Sequence, residues 1–278
     1  MASNLEDEFG DILQKARDGK SWSQKDLSRA TGIPVQGIDR MESYEMIPSD
    51  LVIQKLADAL NLHCPSLVNI AKDTWQPRPQ KLNDLDVDIF CLEVLMGLYP
   101  VKCYLLRCKS SGAGLIIDTG GDPNAVIRKA RECGIAPQKI LLTHAHPDHA
   151  GGLDQLVREF NCPVYIDKKE PKPGGGRDWR FVEGGESLDL GSQMIKVLST
   201  PGHTRGGVTY QVNGNVISGD VIFAGSMGRA NSSWDELFDS VTRKILCLPD
   251  ETVILPGHGP ATTVGEEKKH NPFFCGKV

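Results

Sequence analysis

The chain has 278 residues, 40% of them hydrophobic and 24% charged, and its formal net charge is −5. This composition predicts one large or two unequal globular domains, excludes a disordered or fibrous chain, and gives no overall electrostatic indication of nucleic-acid or membrane binding. Because no apolar run reaches the roughly 18–20 residues of a membrane span, and the acidic N-terminus has no signal-peptide core, we expect a cytoplasmic protein without membrane contact.

Residues 5–72 have the pattern of consecutive short helices. Ser23 can cap the second helix, which Gly32 would end, and Pro34 suits the first turn of the third. Apolar residues at helical spacing predict the others. The four predicted helices cover residues 5–16, 24–30, 35–43 and 51–60.

Two prolines, Pro77 and Pro79, predict an extended linker at residues 74–83, which would separate a helical domain (1–73) from a larger one (84–278). In the larger domain short apolar strands alternate with turn signals and helical stretches, which predicts a mixed α/β fold. The predicted strands cover residues 104–106, 114–117, 139–142, 163–166, 194–198, 208–212, 215–217 and 252–255, and the predicted helices cover 124–133 and 153–160.

Five of the seven histidines lie in three short motifs, at residues 143–149, 200–204 and 255–260, and each motif follows a predicted strand. An aspartate also ends the strand that precedes residue 220. Imidazole and carboxylate groups in such clusters suit zinc, iron or manganese. The predicted metal ligands are His144, His146, Asp148, His149, His203, Asp220 and His258.

This order of motifs, His-x-His-x-Asp-His, Gly-His, a strand-ending Asp and a late Gly-His, resembles the metallo-β-lactamase fold superfamily over about residues 84–272. The resemblance implies an αββα sandwich with two divalent metal ions, for which zinc is the expected metal and iron or manganese the alternatives. It assigns His144, His146 and His203 to one metal, Asp148, His149 and His258 to the second, and Asp220 to both.

Two metal ions roughly 3.5–4 Å apart would share a water whose pKa falls toward about 7, so we expect hydroxide to attack a polarised carbonyl. Asp148 and Asp220 are the expected catalytic carboxylates, because both ligate and Asp148 can also orient the nucleophile or pass on its proton. Asp118 matches a family position near the site, where it would hydrogen-bond to a ligand; the alternative is a turn-forming aspartate.

Residues 219–229 and 256–273 resemble the glyoxalase II-like group, which implies hydrolysis of a small ester or thioester. Arg229 falls where that group has a cation for a substrate carboxylate, although a structural salt bridge is the alternative. Asn231 and Pro260 stand where the group has tyrosines that contact glutathione, so the substrate stays open. A persulfide dioxygenase with one iron, a lactonase, a phosphodiesterase and a β-lactamase are the competing activities within the superfamily.

Residues 11–60 resemble the Cro/repressor type of helix-turn-helix, which implies DNA as a partner. Gln24 would contact phosphate, and Gln36 and Arg40 on the helix 35–43 would read bases. Residues 1–75 hold eight Lys and Arg against twelve Asp and Glu, which handicaps phosphate binding. The alternatives are a module for dimerisation or protein contact, and a transcription regulator whose hydrolase-like domain senses a ligand.

Overall fold

A computed structural model describes residues 5–82, 85–174 and 178–278 of the chain. Its N-terminal part contains the four predicted helices and a fifth that follows Leu62. Ser23 accepts a hydrogen bond from the Asp26 amide at the start of the second helix, and Gly32 ends that helix with a left-handed φ of 73°. The helices are α1 (Phe9–Gly19), α2 (Gln24–Thr31), α3 (Val35–Glu42), α4 (Asp50–Leu60) and α5 (Cys64–Ala71).

The rest of the chain forms two six-stranded sheets and a short hairpin. The first sheet follows chain order and consists of β1 (Val87–Met96), β2 (Tyr99–Cys108), β3 (Ala113–Ile117), β4 (Ala136–Leu141), β5 (Val164–Asp167) and β6 (Trp179–Val182). The second has the order β14-β13-β10-β9-β8-β7 and consists of β7 (Ser187–Leu190), β8 (Gln193–Ser199), β9 (Val208–Val212), β10 (Asn215–Gly219), β13 (Val253–Pro256) and β14 (Thr262–Thr263). The hairpin pairs β11 (Ile222–Phe223) with β12 (Ser226–Met227).

Helices cover the outer faces of both sheets. Apolar side chains of the two inner faces, such as Tyr104 and Ile117 opposite Val197 and Tyr210, form the core between the sheets. The predicted αββα sandwich is therefore confirmed. The helices of this part are α6 (Pro123–Glu132), α7 (Pro147–Ala150), α8 (Leu153–Phe160), α9 (Trp234–Ser240), which continues into a π-helical turn (Val241–Ile245), and α10 (Val264–His270).

The N-terminal helices pack directly on the sandwich. Leu13 and Leu56 belong to the same buried cluster as Leu237 and Phe273, so the two parts of the chain share one hydrophobic core. In the predicted linker Trp75 is buried and stacks on the ring of His270 with centroids 5.1 Å apart. The extended segment is thus anchored to the sandwich, and the exact domain boundaries stay a prediction.

None of the helices in the three described ranges is both long enough and apolar enough to cross a lipid bilayer.

Candidate metal centre

The strands carry the predicted ligands to one edge of the sandwich. The motif at 143–149 follows β4, which is parallel to β3 and β5. In the second sheet β9 is antiparallel to both β8 and β10, and β10 is parallel to β13, so β8, β10 and β13 run in the same direction. His203, Asp220 and His258 follow the carboxyl ends of these three strands. Parallel strand ends meet at one edge, which explains how residues more than one hundred positions apart converge.

The seven predicted ligands form two groups of four with Asp220 in both. One group is His144, His146, His203 and Asp220, the other is Asp148, His149, His258 and Asp220, and the ligand atoms within each group lie within 4.8 Å of one another. Asp220 Oδ1 lies 3.2 Å from His149 Nε2, whereas its Oδ2 lies 3.6 Å from the Nε2 atoms of both His203 and His258. Asp220 Oδ2 thus lies midway between a histidine of each group, so this one carboxylate reaches both.

Four of the five histidines are oriented by a hydrogen bond at the ring nitrogen that faces away from the cluster. His203 Nδ1 donates to the Arg229 carbonyl at 2.8 Å, and His258 Nδ1 donates to the Pro100 carbonyl at 2.7 Å. His149 Nδ1 donates to an Asp118 carboxylate oxygen at 2.8 Å, and His144 Nδ1 lies 3.0 Å from the Thr143 hydroxyl. Such bonds fix the tautomer, so the Nε2 atoms point into the cluster, where those of His144 and His203 lie 2.9 and 3.0 Å from His146 Nδ1.

Asp118 holds two parts of the site together. Its carboxylate accepts from the Thr143 amide and hydroxyl, each at 2.8 Å, as well as from His149. The residue is buried and its φ is 57°, in the left-handed region that few residues other than glycine adopt. A buried aspartate in this conformation, bonded to a histidine of the cluster, has the geometry of a residue that positions a ligand.

Burial and mutual attraction set the charges of the cluster. Burial lowers the pKa of His144 well below its ordinary value and also lowers the pKa of His203, so both are neutral bases. Burial opposes the cationic form of His149, but the carboxylates of Asp220 and Asp118 outweigh it and raise the pKa of His149 well above its ordinary value. Burial likewise opposes the charged form of Asp220, but the attraction of His149 holds the pKa of Asp220 well below its ordinary value. The neutral imidazoles of His144 and His203 beside this ionised carboxylate are donors that zinc and iron bind, and a metal at His149 would take the place of its proton.

Two observations indicate that the cluster fits metal ions. Four buried side-chain polar atoms of the described residues have no hydrogen-bond partner, and two of them are His149 Nε2 and Asp220 Oδ1. Gly257 lies directly beneath these atoms: a Cβ there would be 2.4 Å from Asp220 Oδ1 and 2.6 Å from His149 Cε1. The cluster thus has buried, unsatisfied ligand atoms over a residue that must be glycine, as expected for a dinuclear metal site.

Glu170 is a buried residue of the site that sequence reasoning missed. One of its carboxylate oxygens accepts from the Ala145 amide at 2.9 Å, and the other accepts from the Gly206 amide at 2.8 Å. It therefore connects the loop of His144 and His146 to the loop of His203. No local pattern marks such a residue, because both partners are backbone amides far away in the sequence.

Arg229 lies at the mouth of the centre but is engaged by the N-terminal helices. Its guanidinium donates to Gln14 Oε1 at 2.7 Å and lies 3.3 Å from Asp18 Oδ2, while its carbonyl accepts from His203. The salt bridge to Asp18 is a structural role for Arg229, which was the alternative to substrate binding. A role of Arg229 in substrate binding stays a prediction.

The residues predicted to contact DNA lie on the surface formed by α2 and α3, apart from the metal centre. Gln24 donates to Asp39 at 3.2 Å and to Glu42 at 3.0 Å. Arg40 lies 3.7 Å from Glu45, and Gln36 is exposed. Their roles also stay predictions.

Two family models match the chain. Residues 96–258 match the metallo-beta-lactamase superfamily and residues 13–67 match a helix-turn-helix family. The sequence is 36% identical to the probable metallo-hydrolase YqgX of Bacillus subtilis, over 65% of this chain and 96% of that protein. It is 31% identical to the hydroxyacylglutathione hydrolase GloC of Haemophilus influenzae, over 65% of this chain and 98% of that protein.

Solved structures show the same similarity. A protein named TTHA1623, in a di-iron-bound form, is 34% identical with a TM-score of 0.58, over 66% of this chain and all of that one. The BLEG-1 B3 metallo-beta-lactamase is 32% identical with a TM-score of 0.61, over 67% of this chain and all of that one. ETHE1 from Myxococcus xanthus is 27% identical with a TM-score of 0.60, over 68% of this chain and 86% of that one.

Proposed function

The chain belongs to the metallo-beta-lactamase superfamily, and from this premise we propose that it is a dinuclear metal-dependent hydrolase of a small thioester or ester. The observation that carries the proposal is the sharing of Asp220 between two groups of four ligand atoms. One metal ion would be held by His144, His146 and His203, the other by Asp148, His149 and His258, with Asp220 between them. Two divalent ions held there would supply a nucleophile from water at neutral pH and polarise the substrate carbonyl.

The protein's own residues have distinct tasks in this mechanism. Asp118 and the carbonyls of Arg229 and Pro100 hold the histidine rings in place, so no reorganisation is needed when substrate binds. Asp148 is partly exposed at the cavity, and one of its oxygens lies 3.2 Å from His258 Nε2. It is the group that can accept a proton at the open side of the site and return it to the leaving group.

Thioesters are the favoured substrate class because a hydroxyacylglutathione hydrolase is among the relatives. Zinc is the favoured metal from the histidine-rich ligand set, whereas the di-iron form of one related structure supports iron as the alternative. Elemental analysis of purified protein, beside rates on a panel of thioesters, lactones and phosphodiesters, tests the proposal. We expect two metal ions per chain and turnover of thioesters. One iron per chain with oxygen uptake would instead support the persulfide dioxygenase.

We also propose that the helix-turn-helix module binds DNA, because residues 13–67 match that family and Gln36 and Arg40 are exposed on α3. The acidic Asp39 on the same helix and the engagement of Gln24 weaken phosphate contacts. A gel-retardation assay with random-sequence DNA at low salt tests this second function. Retardation that Arg40→Ala reduces would support it, and no retardation at micromolar protein would favour protein contact.

A further inference from the structure

A cavity of about 280 Å³ opens beside the metal centre and is lined by both parts of the chain. Asp148, Asp220 and His258 form one side of it. The other side is formed by α1 and the segment before it, through Glu6, Asp7, Asp11 and Lys15. The wall that a substrate would meet next to the metals is therefore supplied by the N-terminal module.

Carboxylates of α1 and the segment before it pair with Lys15 and Arg229, the two cations that line the cavity. The Lys15 ammonium is buried, forms an ion pair with Asp7 and donates to the Met227 carbonyl at 2.8 Å. The Arg229 guanidinium is held by Gln14 at 2.7 Å and by Asp18 at 3.3 Å. In this arrangement each of the two cations already pairs with a carboxylate of the N-terminal helices or the segment before them.

Two further carboxylates of the wall, Glu6 and Asp11, form no salt bridge with any described residue. Among the described residues no hydrogen bond or ion pair involves the Glu6 side chain, which is exposed at the cavity. Asp11 accepts from the Tyr44 hydroxyl at 2.6 Å and from the Glu8 amide at 3.0 Å, and both donors are neutral. Carboxylates thus outnumber cations on this side of the cavity. A negatively charged group on the part of a substrate that lies against this side would be repelled.

We propose that α1 and the segment before it set the charge preference of the substrate pocket. In a thioester or ester substrate, the part that points away from the scissile carbonyl is neutral or cationic, and substrates that end in a carboxylate are disfavoured. This inference rests on the proposed hydrolysis. Asp18 and Glu6 are specificity-determining residues: Asp18 acts through Arg229, and Glu6 acts directly on the substrate.

Three thioesters with the same acyl group, whose thiol parts end in a carboxylate, an amide or an amine, test the inference with the metal-loaded full chain. For the wild type we expect kcat/KM for the carboxylate to be about tenfold below that for the amide, mostly through KM. Rates are compared at about pH 8, far above the ordinary pKa of a carboxyl group, so that Glu6 and Asp18 are ionised.

Variants of the wall and a matched control identify the source of the preference. Asp18→Asn and Glu6→Gln should each raise the ratio of kcat/KM for the carboxylate to kcat/KM for the amide several-fold, toward one. The ratio should also rise toward one at high salt, since screening weakens repulsion at an open cavity. Glu132→Gln, the same charge change on α6 outside the cavity, should leave the ratio unchanged.

The same ratio in the wild type and in both wall variants, or a wild-type preference for the carboxylate, would overturn the inference. Binding of the three uncleavable thioether analogues, measured by calorimetry, separates this failure from failure of the proposed function. If none of the thioesters is hydrolysed, the hydrolase proposal fails, while the order of analogue affinities still tests the charge preference. Weakest binding of the carboxylate analogue supports it, and equal binding of all three contradicts it.

Discussion

The metal centre and the surface formed by α2 and α3 differ in how their polar side chains are held. At the centre His149 is fully buried and bonded to Asp118, and the Nδ1 atoms of His203 and His258 bond to backbone carbonyls. On the helical surface the Arg40 side chain is 57% exposed and pairs only loosely with Glu45. A motif of buried, mutually fixed ligands therefore indicates a chemistry more directly than a motif of exposed side chains, whose partners depend on what surrounds them.

Matched glycine substitutions should separate the two regions most clearly. Gly257→Ala would place a Cβ 2.4 Å from Asp220 Oδ1, so we expect bound metal and kcat/KM to fall by about 100-fold or more. Gly37→Ala in α3 meets its nearest atom, Ile33 Cγ2, at 3.5 Å, and should stabilise the helix by up to about 1 kcal/mol without loss of metal. Metal content and thermal unfolding are measured for both variants. Wild-type metal content in Gly257→Ala would contradict the claim that the ligand atoms above Gly257 leave no room for a side chain.

Glu267 is a buried carboxylate in a different setting from Asp220, because it accepts from neutral donors: the Gly225 amide, the Thr262 hydroxyl and the Asn271 side-chain amide. Burial raises its pKa to about 7 from 4.5. The unfolded state then loses its proton at lower pH than the folded state, so stability falls as pH rises from about 4.5 through 7. The loss should reach about 3 kcal/mol. Denaturant unfolding of the wild type and of Glu267→Gln between pH 5 and 8 measures this loss of stability. The same pH dependence in both proteins would contradict a raised pKa of Glu267.

Glu170 should have a smaller effect that is confined to the metal centre. Glu170→Ala removes the acceptor for the Ala145 and Gly206 amides, so we expect metal affinity to fall by about 10- to 100-fold. Glu170→Gln keeps one acceptor and should lose less. Competition with a chelator measures the affinity. Equal affinity of Glu170→Ala and the wild type would show that the two loops need no connection.

Arg40 should have the smallest effect. Its exposed pair with Glu45 at 3.7 Å contributes less than about 0.5 kcal/mol. Arg40→Ala should therefore leave unfolding and hydrolysis unchanged, as measured by denaturant titration and thioester turnover. A large change in either would mean that α3 is coupled to the metal centre.

The ligand-bearing strands and α8 were predictable because their signals are local. Residues 139–142 and 252–255 are apolar runs that precede a histidine motif, and their strands form nearly as predicted, at Ala136–Leu141 and Val253–Pro256. β1 was missed because burial along it is irregular rather than alternating.

The N-terminal wall of the cavity was not predictable from the sequence. The apolar face of α1 predicts a helix but not what lies across from its polar face. Lys15 meets Met227 and Asp18 meets Arg229 only because the module packs on the second sheet, more than two hundred residues away. Such contacts depend on tertiary packing, which has no signal at either position alone.

The metal content of purified wild type and of Asp220→Ala decides whether one carboxylate serves two metal ions. Because Asp220 belongs to both groups of ligands, we expect about two metal ions per wild-type chain, and a variant that loses both metal and turnover. Glu132→Ala, an exposed carboxylate on α6, serves as the control and should keep both. Full metal content and undiminished turnover in Asp220→Ala would contradict a shared dinuclear site.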